Sequence, residues 1–172
     1  MRQNITRRRT MGLEIERKFL VQSDRWRVDE LGNSVLGTVY RQGYILASQE
    51  RTVRIRIAGD KAFITIKGSA IGIGRAEYEY SIPVTDATEM LDTLCDRPLI
   101  EKVRHRIPID DLVWEVDEFS GENQGLIMAE VELPQADHPV RIPDWAGQEV
   151  TGDPRYFNAY LVKHPFREWN EG

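Results

Sequence analysis

Glu14-Ile15-Glu16-Arg17-Lys18, followed by Phe19-Leu20-Val21, places a charged side chain at every second position. Apolar residues or the long stem of an arginine fill the positions between them. Successive side chains of a β-strand point to opposite faces, so this stretch predicts a strand with one charged face and one apolar face. A single solvated strand has the same pattern. The stretch becomes informative because the chain repeats it.

The alternation returns in seven further segments, each of which we predict to be a strand. They are residues 39–46, 52–58, 62–67, 75–83, 99–108, 114–119 and 127–133. Within one strand the charges have the same sign, as in Arg54 with Arg56 and Glu130 with Glu132. Solvated strand faces usually mix signs, and the residues between these charges are large and apolar. The pattern therefore favours a charged surface with a function over a simple solvated face.

Two or three helices accompany the strands. The clearest covers residues 86–95, with Asp86 as its cap and an apolar stripe behind it. A second helix starts at Gly152-Asp153-Pro154, continues to about Lys163 and buries Phe157, and a short third one is expected within 23–31. We also expect a hairpin turn at Gly59-Asp60, a bulge at Gly43, a mobile loop over 68–74 and irregular backbone over 134–150.

Short turns between the strands predict an antiparallel sheet in a mainly β domain of the α+β class. A closed eight-stranded antiparallel β-barrel, with a few helices outside, accounts for buried apolar faces and charged faces of uniform sign. The charged residues would then line its interior. The acids of that interior are Glu14, Glu16, Glu77, Glu79, Glu115, Asp117, Glu130 and Glu132, and the bases are Lys18, Arg54, Arg56, Lys67, Lys102 and Arg104.

Such an interior is costly unless something binds in it, because unpaired buried charges cost several kcal/mol each. Neighbouring carboxylates raise one another's pKa unless a cation lies between them. Hard divalent ions with oxygen ligands, Mg²⁺ or Mn²⁺, fit the acids, and several phosphates in a row fit the bases. A metal bound to a polyphosphate satisfies both sets.

The composition limits the class of protein. The 172 residues suffice for one domain, assigned to 11–172, and residues 1–10 form a basic extension that we expect to be disordered or to precede a start at Met11. A net charge of −5 argues against nucleic-acid binding through a basic surface. The single cysteine, Cys95, fits a reducing cytosol, and its place in a helical segment favours a buried thiol over a nucleophile. No apolar run approaches the roughly 20 residues that span a membrane.

The opening stretch resembles the ExExK signature of the CYTH superfamily, the triphosphate tunnel metalloenzymes. The resemblance continues, in order, through Arg41-Gln42-Gly43-Tyr44, Val53-Arg54-Ile55-Arg56, Thr65-Ile66-Lys67-Gly68, Glu77-Tyr78-Glu79, Glu101-Lys102-Val103-Arg104, Trp114-Glu115-Val116-Asp117-Glu118-Phe119, Ala129-Glu130-Val131-Glu132-Leu133, Trp145-Ala146-Gly147 and Arg155-Tyr156-Phe157-Asn158. It covers residues 12–166 and implies an eight-stranded tunnel and a metal-dependent enzyme acting on a triphosphate chain.

The resemblance also implies roles for individual residues. Lys18 would help to activate the attacking water, which requires a lowered pKa among the bases. The metal ligands would be Glu14, Glu16, Glu130, Glu132 and Asp117, with Glu77, Glu79 and Glu115 in support, and the phosphates would be bound by Arg54, Arg56, Lys67, Lys102 and Arg104. One departure is visible after Asn158, where relatives carry a base and this chain has Ala159. Lys163 and Arg106 are candidates to replace it.

Because the chain resembles the small bacterial members of this family, the resemblance implies inorganic triphosphate as the substrate, with Mg²⁺ or Mn²⁺ as cofactor. The alternatives are a thiamine triphosphatase, with Trp26, Tyr44 or Trp145 at the tunnel mouth, a nucleoside triphosphatase, and a class IV adenylyl cyclase. An alternative of another class is a non-catalytic module that binds polyphosphate or nucleotides. We expect a cytoplasmic protein with a small-molecule substrate and no nucleic-acid or membrane partner. The oligomeric state is left open, a homodimer included.

Overall fold

The computed structural model describes residues 15–29, 31–48, 50–71 and 74–170. Two assignments made from the sequence, the extension over 1–10 and the metal-ligand role of Glu14, lie outside the described residues.

Nine β-strands and two α-helices form the regular structure of these ranges. The strands are β1 (Ile15–Val21), β2 (Gly37–Ala47), β3 (Thr52–Ala58), β4 (Lys61–Ile71), β5 (Gly74–Ile82), β6 (Ile100–Ile109), β7 (Leu112–Phe119), β8 (Ile127–Leu133) and β9 (Ala146–Glu149). The helices are α1 (Val84–Thr93) and α2 (Asn158–Leu161), with short 3-10 helices at Asp24–Arg27, Gly121–Asn123, Pro154–Tyr156 and Phe166–Asn170.

All nine strands belong to one antiparallel sheet in the order β5-β4-β3-β2-β6-β7-β8-β1-β9. The predicted closed barrel is wrong, because in the described residues the sheet ends at β5 on one side and at β9 on the other. Closure would need β5 to pair with the outer edge of β1. That edge is occupied instead by β9, which pairs with β1 at Phe19 and Val21.

The eight predicted strands are present, and 52–58 and 127–133 match β3 and β8 residue for residue. The turn at Gly59-Asp60 is also present, since Ala58 pairs with Lys61 across it. The bulge lies beyond Gly43, where the register of β2 shifts between Tyr44 and Leu46. Instead of a loop from residue 68, the β4–β5 pairing continues to Ala70 and Arg75.

The helices agree less well with the sequence. α1 begins at Val84, directly after Pro83, and not at an Asp86 cap. In the described part of 23–31 the helix is limited to the 3-10 helix Asp24–Arg27, and Val28 then pairs with Ser34 in an isolated bridge. The helix predicted from Asp153 to Lys163 is interrupted at Phe157, whose backbone is extended and whose side chain is exposed.

The strand register places every described member of the predicted interior on one face of the sheet. Directly paired residues share a face, and alternate residues of one strand share it too. Following the pairs from β1 across the sheet to β5 places these residues on one face: Glu16, Lys18, Glu132, Glu130, Glu115, Asp117, Arg104, Lys102, Arg56, Arg54, Lys67, Glu79 and Glu77. We call this the charged face. Its existence was the central structural expectation from the alternation, and the register confirms it.

Apolar clusters cover the opposite face. One packs Phe19, Trp26, Trp114 and Trp145 together beneath β1, β7 and β8. The other places α1 on β3 and β4 through the fully buried Leu91. Each such side chain contributes about 1.5–3 kcal/mol by its burial, so the core that supports the sheet lies behind the charged face.

The sheet curls around its charged face. Burial raises the pKa of Tyr44 on β2, and the charges of Arg54, Arg56, Glu130 and Lys18 also act on this phenol. β2 and β1 are four strands apart in the sheet, which is about 19 Å on a flat surface. Tyr44 of β2 and Leu20 of β1 nevertheless belong to one packed apolar cluster, as expected if the sheet curves and brings the two strands towards each other.

One end of the charged face is closed by apolar residues. Tyr44, Ile100, Phe119 and Met128 extend from this face and pack against Leu161 of α2 and its neighbours. The charged groups nearest this cluster are therefore removed from water, and the other end remains open. No helix within the described ranges is long and apolar enough to cross a membrane.

Candidate active site

The ammonium of Lys18 lies between two carboxylates on adjacent strands. Its Nζ is 2.8 Å from Oε1 of Glu16 and 2.6 Å from Oε1 of Glu130. Only 8% of the Lys18 side chain and 13% of the Glu130 side chain are exposed. Two carboxylates thus converge on one ammonium, one of them nearly buried and the other, Glu16, 39% exposed.

The backbone of Lys18 is held by the segment that follows β9. Its amide donates a hydrogen bond to Oγ1 of Thr151 at 3.0 Å, and its carbonyl accepts one from the amide of Val150 at 2.8 Å. Thr151 also donates to Glu149, which forms an ion pair with Arg17 at 2.7 Å. The region predicted to be irregular therefore fixes the strand that carries Lys18.

Arg104 connects three carboxylates in the centre of the charged face. Its Nε and Nη2 donate to the two oxygens of Asp117 at 2.7 and 2.6 Å, and Nη2 also reaches Oε2 of Glu130 at 3.2 Å. Nη1 pairs with Glu115. Lys102 donates to the same carboxylate of Asp117, which is fully buried. Both oxygens of Asp117 are thus bound to bases.

The electrostatics follow from these contacts. Burial raises the pKa of Asp117 and of Glu130, but Lys102 and Arg104 at Asp117, and Lys18 and Lys102 at Glu130, lower both pKa values overall. Burial lowers the pKa of Lys18, but Glu130 and Glu16 outweigh it and raise the net value. For Lys102, burial prevails and the pKa is lowered. The lowered pKa expected among the bases is therefore found at Lys102, and also at Arg56, but not at Lys18.

A second basic group lies on β3 and β4. Arg56 donates to Oε2 of Glu79 at 3.1 Å, Arg54 donates to Oγ1 of Thr65 at 3.1 Å, and Thr65 donates to Glu79 at 2.9 Å. Lys67 pairs with Glu77 at 3.0 Å. Burial and the charge of Arg54 lower the pKa of Arg56. The Nε atoms of Arg54 and Arg56 are buried and have no hydrogen-bond partner among the described residues, so this group retains unused donors.

A cleft of about 390 Å³ opens at the uncovered end of the charged face. It is lined by Glu16, Arg104, Arg106, Asp111, Leu112, Val113, Glu115, Glu130, Glu132, Leu133 and Pro134. Its lining contains four of the predicted metal-binding or supporting carboxylates. Oxygen donors of this kind suit Mg²⁺ or Mn²⁺. Within the described residues no three acids, histidines or cysteines are arranged around a common point for an ion, since bases now occupy several of these carboxylates.

The residues flagged by the sequence divide into those on the charged face and those elsewhere. Arg106 lies at the cleft, pairs with Glu115 at 3.4 Å and is 66% exposed, whereas Lys163 is an exposed residue just beyond α2. Trp26 and Trp145 belong to the core on the opposite face, so they do not line the cleft. Cys95 is half-buried against Gly43, and burial raises the pKa of its thiol, as expected for a structural cysteine.

Three uncharged polar residues of the charged face, Tyr40, Gln42 and Thr65, were not predicted from the sequence as candidates for the site. Gln42 and Thr65 are buried, the Gln42 amide donates to the Tyr44 hydroxyl at 3.3 Å, and Tyr40 lies beside Lys102. Tyr44 was considered only for the tunnel mouth. The available signal was their position in the two-residue alternation, because Tyr40, Gln42 and Tyr44 share a face with the bases.

Known proteins with a similar sequence or structure identify the family of this chain. A sequence model of the CYTH domain matches residues 12–158. An inorganic triphosphatase of Acetivibrio thermocellus is 48% identical over 161 residues, covering 94% of this chain and 100% of the relative. An inorganic triphosphatase of Nitrosomonas europaea is 37% identical and covers 87% of this chain and 96% of the relative.

The crystal structure of an inorganic triphosphatase superimposes with a TM-score of 0.66 at 33% identity, covering 88% of this chain and 95% of that one. The matched region thus begins just before β1 and ends in α2, and it contains every strand of the charged face. On this ground the chain belongs to the CYTH domain family.

Proposed function

We propose that this protein is a metal-dependent inorganic triphosphatase that cleaves the terminal phosphoanhydride of triphosphate to give pyrophosphate and phosphate. The observation that carries the proposal is the position of Lys18 between Glu16 and Glu130, a cation site beside Arg104, on a face that also presents Arg54 and Arg56. The names of the two relatives support triphosphate as the substrate.

The acids have the chemistry to hold Mg²⁺ or Mn²⁺. We assign the ion to Glu16, Glu130 and Glu132, and to Glu14 by the resemblance. When bound, the ion neutralises negative charge on the triphosphate and on the phosphoryl group in transfer. Glu115, Glu77 and Glu79 then have a supporting role. Asp117 is fully buried, does not line the cleft and has both oxygens bound to Lys102 and Arg104, so we assign it to the orientation of these bases.

The bases bind the phosphates. Arg54 and Arg56 have buried Nε donors without partners among the described residues, which suits them to donate hydrogen bonds to phosphate oxygens. Lys67, Lys102 and Arg104 extend the basic surface on both sides of β2. Lys18 donates two hydrogen bonds from a single ammonium, and we assign it to orient the attacking water or a phosphate oxygen.

The test is phosphate release from inorganic triphosphate, thiamine triphosphate, ATP and pyrophosphate, each with Mg²⁺, with Mn²⁺ and with a chelator. We expect metal-dependent release from triphosphate at a specificity constant at least tenfold above those for the other three. Faster cleavage of thiamine triphosphate or ATP would replace inorganic triphosphate as the substrate. Formation of cyclic AMP would favour the cyclase, and binding of triphosphate without cleavage would favour a non-catalytic module.

A further inference from the structure

Tyr40 lies between the two basic groups of the charged face. It sits on β2, where it pairs with Lys102 of β6 on one side and with Ala58 of β3 on the other. Arg104 is opposite Thr38, and Arg56 is opposite Gln42, so the two arginines flank Tyr40 from opposite diagonals. The function proposed above uses both arginines and gives no role to Tyr40.

The Tyr40 ring receives both guanidiniums. The Arg104 Cζ lies 5.4 Å from the ring centroid, and the Arg56 Cζ lies 5.9 Å from it. Both distances fall within the roughly 6 Å at which the face of an aromatic ring attracts a cation. One half-buried side chain therefore stabilises two like charges that come from strands on either side of it.

An aromatic ring stabilises a cation without using its hydrogen-bond donors, and this distinguishes it from a carboxylate. Each guanidinium has five N–H donors, and an acidic partner occupies one or two of them. Arg104 has most of its donors bound to Asp117, Glu115 and Glu130. Arg56 pairs through Nη2 with Glu79 and retains a buried Nε without a partner. The ring thus compensates the charge of Arg56 and leaves donors for an anion.

We propose that Tyr40 is a positioning residue that holds Arg56 and Arg104 by its ring, so that the two guanidiniums bind the oxygens of one polyphosphate chain across β2. This inference rests on the proposed function for the identity of the anion. It predicts that the ring, and not the hydroxyl, determines binding of the substrate. Tyr40 contributes to binding in the ground state and does not touch the reacting atoms.

The experiment compares Tyr40→Leu, Tyr40→Gln and Tyr40→Phe by steady-state kinetics with inorganic triphosphate. It also measures their dissociation constants for inorganic triphosphate by calorimetry, without metal and at low salt. We expect Tyr40→Leu to raise KM and the dissociation constant roughly tenfold with kcat within about twofold, since two weak cation–π contacts are lost. Tyr40→Gln should weaken triphosphate binding at least as much as Tyr40→Leu, because the glutamine carbonyl accepts hydrogen bonds from N–H donors that the phosphate oxygens need. Tyr40→Phe should restore both values to within about twofold of the wild type.

Tyr78→Leu is the matched control, because Tyr78 faces the opposite side of the sheet from Glu77 and Glu79. It should leave KM unchanged. An unchanged KM in Tyr40→Leu, or a Tyr40→Phe variant as weak as Tyr40→Leu, would overturn the proposal. If Tyr40→Leu does not fold, the KM of Tyr40→Gln takes its place in the test, and an unchanged KM in that variant would overturn the proposal. Absence of triphosphate cleavage by the wild type would refute the proposed function alone, because calorimetry with inorganic triphosphate would still test the role of the ring.

Discussion

The Lys18 ammonium donates to the Glu130 carboxylate at 2.6 Å across the β1–β8 pair, in a position where neither side chain is more than 13% exposed. Glu16, which lies on β1 together with Lys18, pairs with the same ammonium. A lysine thus balances the charge of two carboxylates where the sequence predicts a metal.

Lys18→Met should leave Glu16 and Glu130 without their cation. Removing one partner of a buried ion pair typically costs about 3–5 kcal/mol, so we expect a lower free energy of unfolding and a loss of turnover. Mg²⁺ should restore part of the stability, since it can compensate the same carboxylates. Urea unfolding with and without Mg²⁺ measures this. If Mg²⁺ stabilises Lys18→Met no more than the wild type, the carboxylates do not form a cation site.

Asp117→Asn should destabilise the fold, because Lys102 and Arg104 would lose the carboxylate that binds them both. We expect a loss of about 3–5 kcal/mol in the free energy of unfolding. Asp24→Asn, which removes a carboxylate from an exposed ion pair with Arg27, serves as the control and should change stability by less than about 1 kcal/mol. Equal effects of the two substitutions would contradict the central position of Asp117.

Thr151→Val should reduce turnover through the backbone of Lys18. The valine keeps the shape of threonine but removes the oxygen that accepts the Lys18 amide hydrogen bond. We expect a loss of about 0.5–1.5 kcal/mol in stability and a lower kcat. Thr88→Val, which removes an exposed hydroxyl in α1, is the matched control and should leave kcat unchanged. A normal kcat in Thr151→Val would show that the segment after β9 does not position Lys18.

Glu149 should contribute stability that depends on pH. The hydrogen bond from Arg17 lowers its pKa from 4.5 to about 2. A carboxylate whose pKa is lower in the folded state stabilises the fold above about pH 4.5 and loses this contribution as the pH falls towards 2. The melting temperature of Glu149→Gln should therefore lie below that of the wild type at pH 7, with a difference that shrinks as the pH falls from 4.5 to 2.5. A difference that stays constant over this range would contradict the lowered pKa.

The charged face could be predicted from the sequence because the alternation that indicates it lies within single strands. Arg54 and Arg56 are two positions apart, as are Glu130 and Glu132, so each pair lies on one face of its own strand. Antiparallel pairing of the strands then places these faces side by side in the sheet. The same argument could have included Tyr40 and Gln42, had uncharged polar residues been counted with the charges.

The edge strands of the sheet could not be predicted in the same way, because they depend on pairing between distant parts of the chain. β9 has four residues, Ala146-Gly147-Gln148-Glu149, which show no alternation and follow a segment with three prolines. Its pairing with β1 joins positions more than 120 residues apart, so no short pattern indicated that it would occupy the edge needed for closure. The raised pKa of Lys18 likewise depends on Glu130 from another strand.

The most direct test of the account is phosphate release from inorganic triphosphate by the wild type and by Glu130→Gln, both with saturating Mg²⁺ and both shown to be folded by circular dichroism. Glu130 contacts Lys18 and Arg104, and we assign it to the metal, so turnover should require its carboxylate. We predict equal amounts of phosphate and pyrophosphate from the wild type, and at least a hundredfold lower rate from a folded Glu130→Gln. A folded variant with a rate close to that of the wild type would contradict the account.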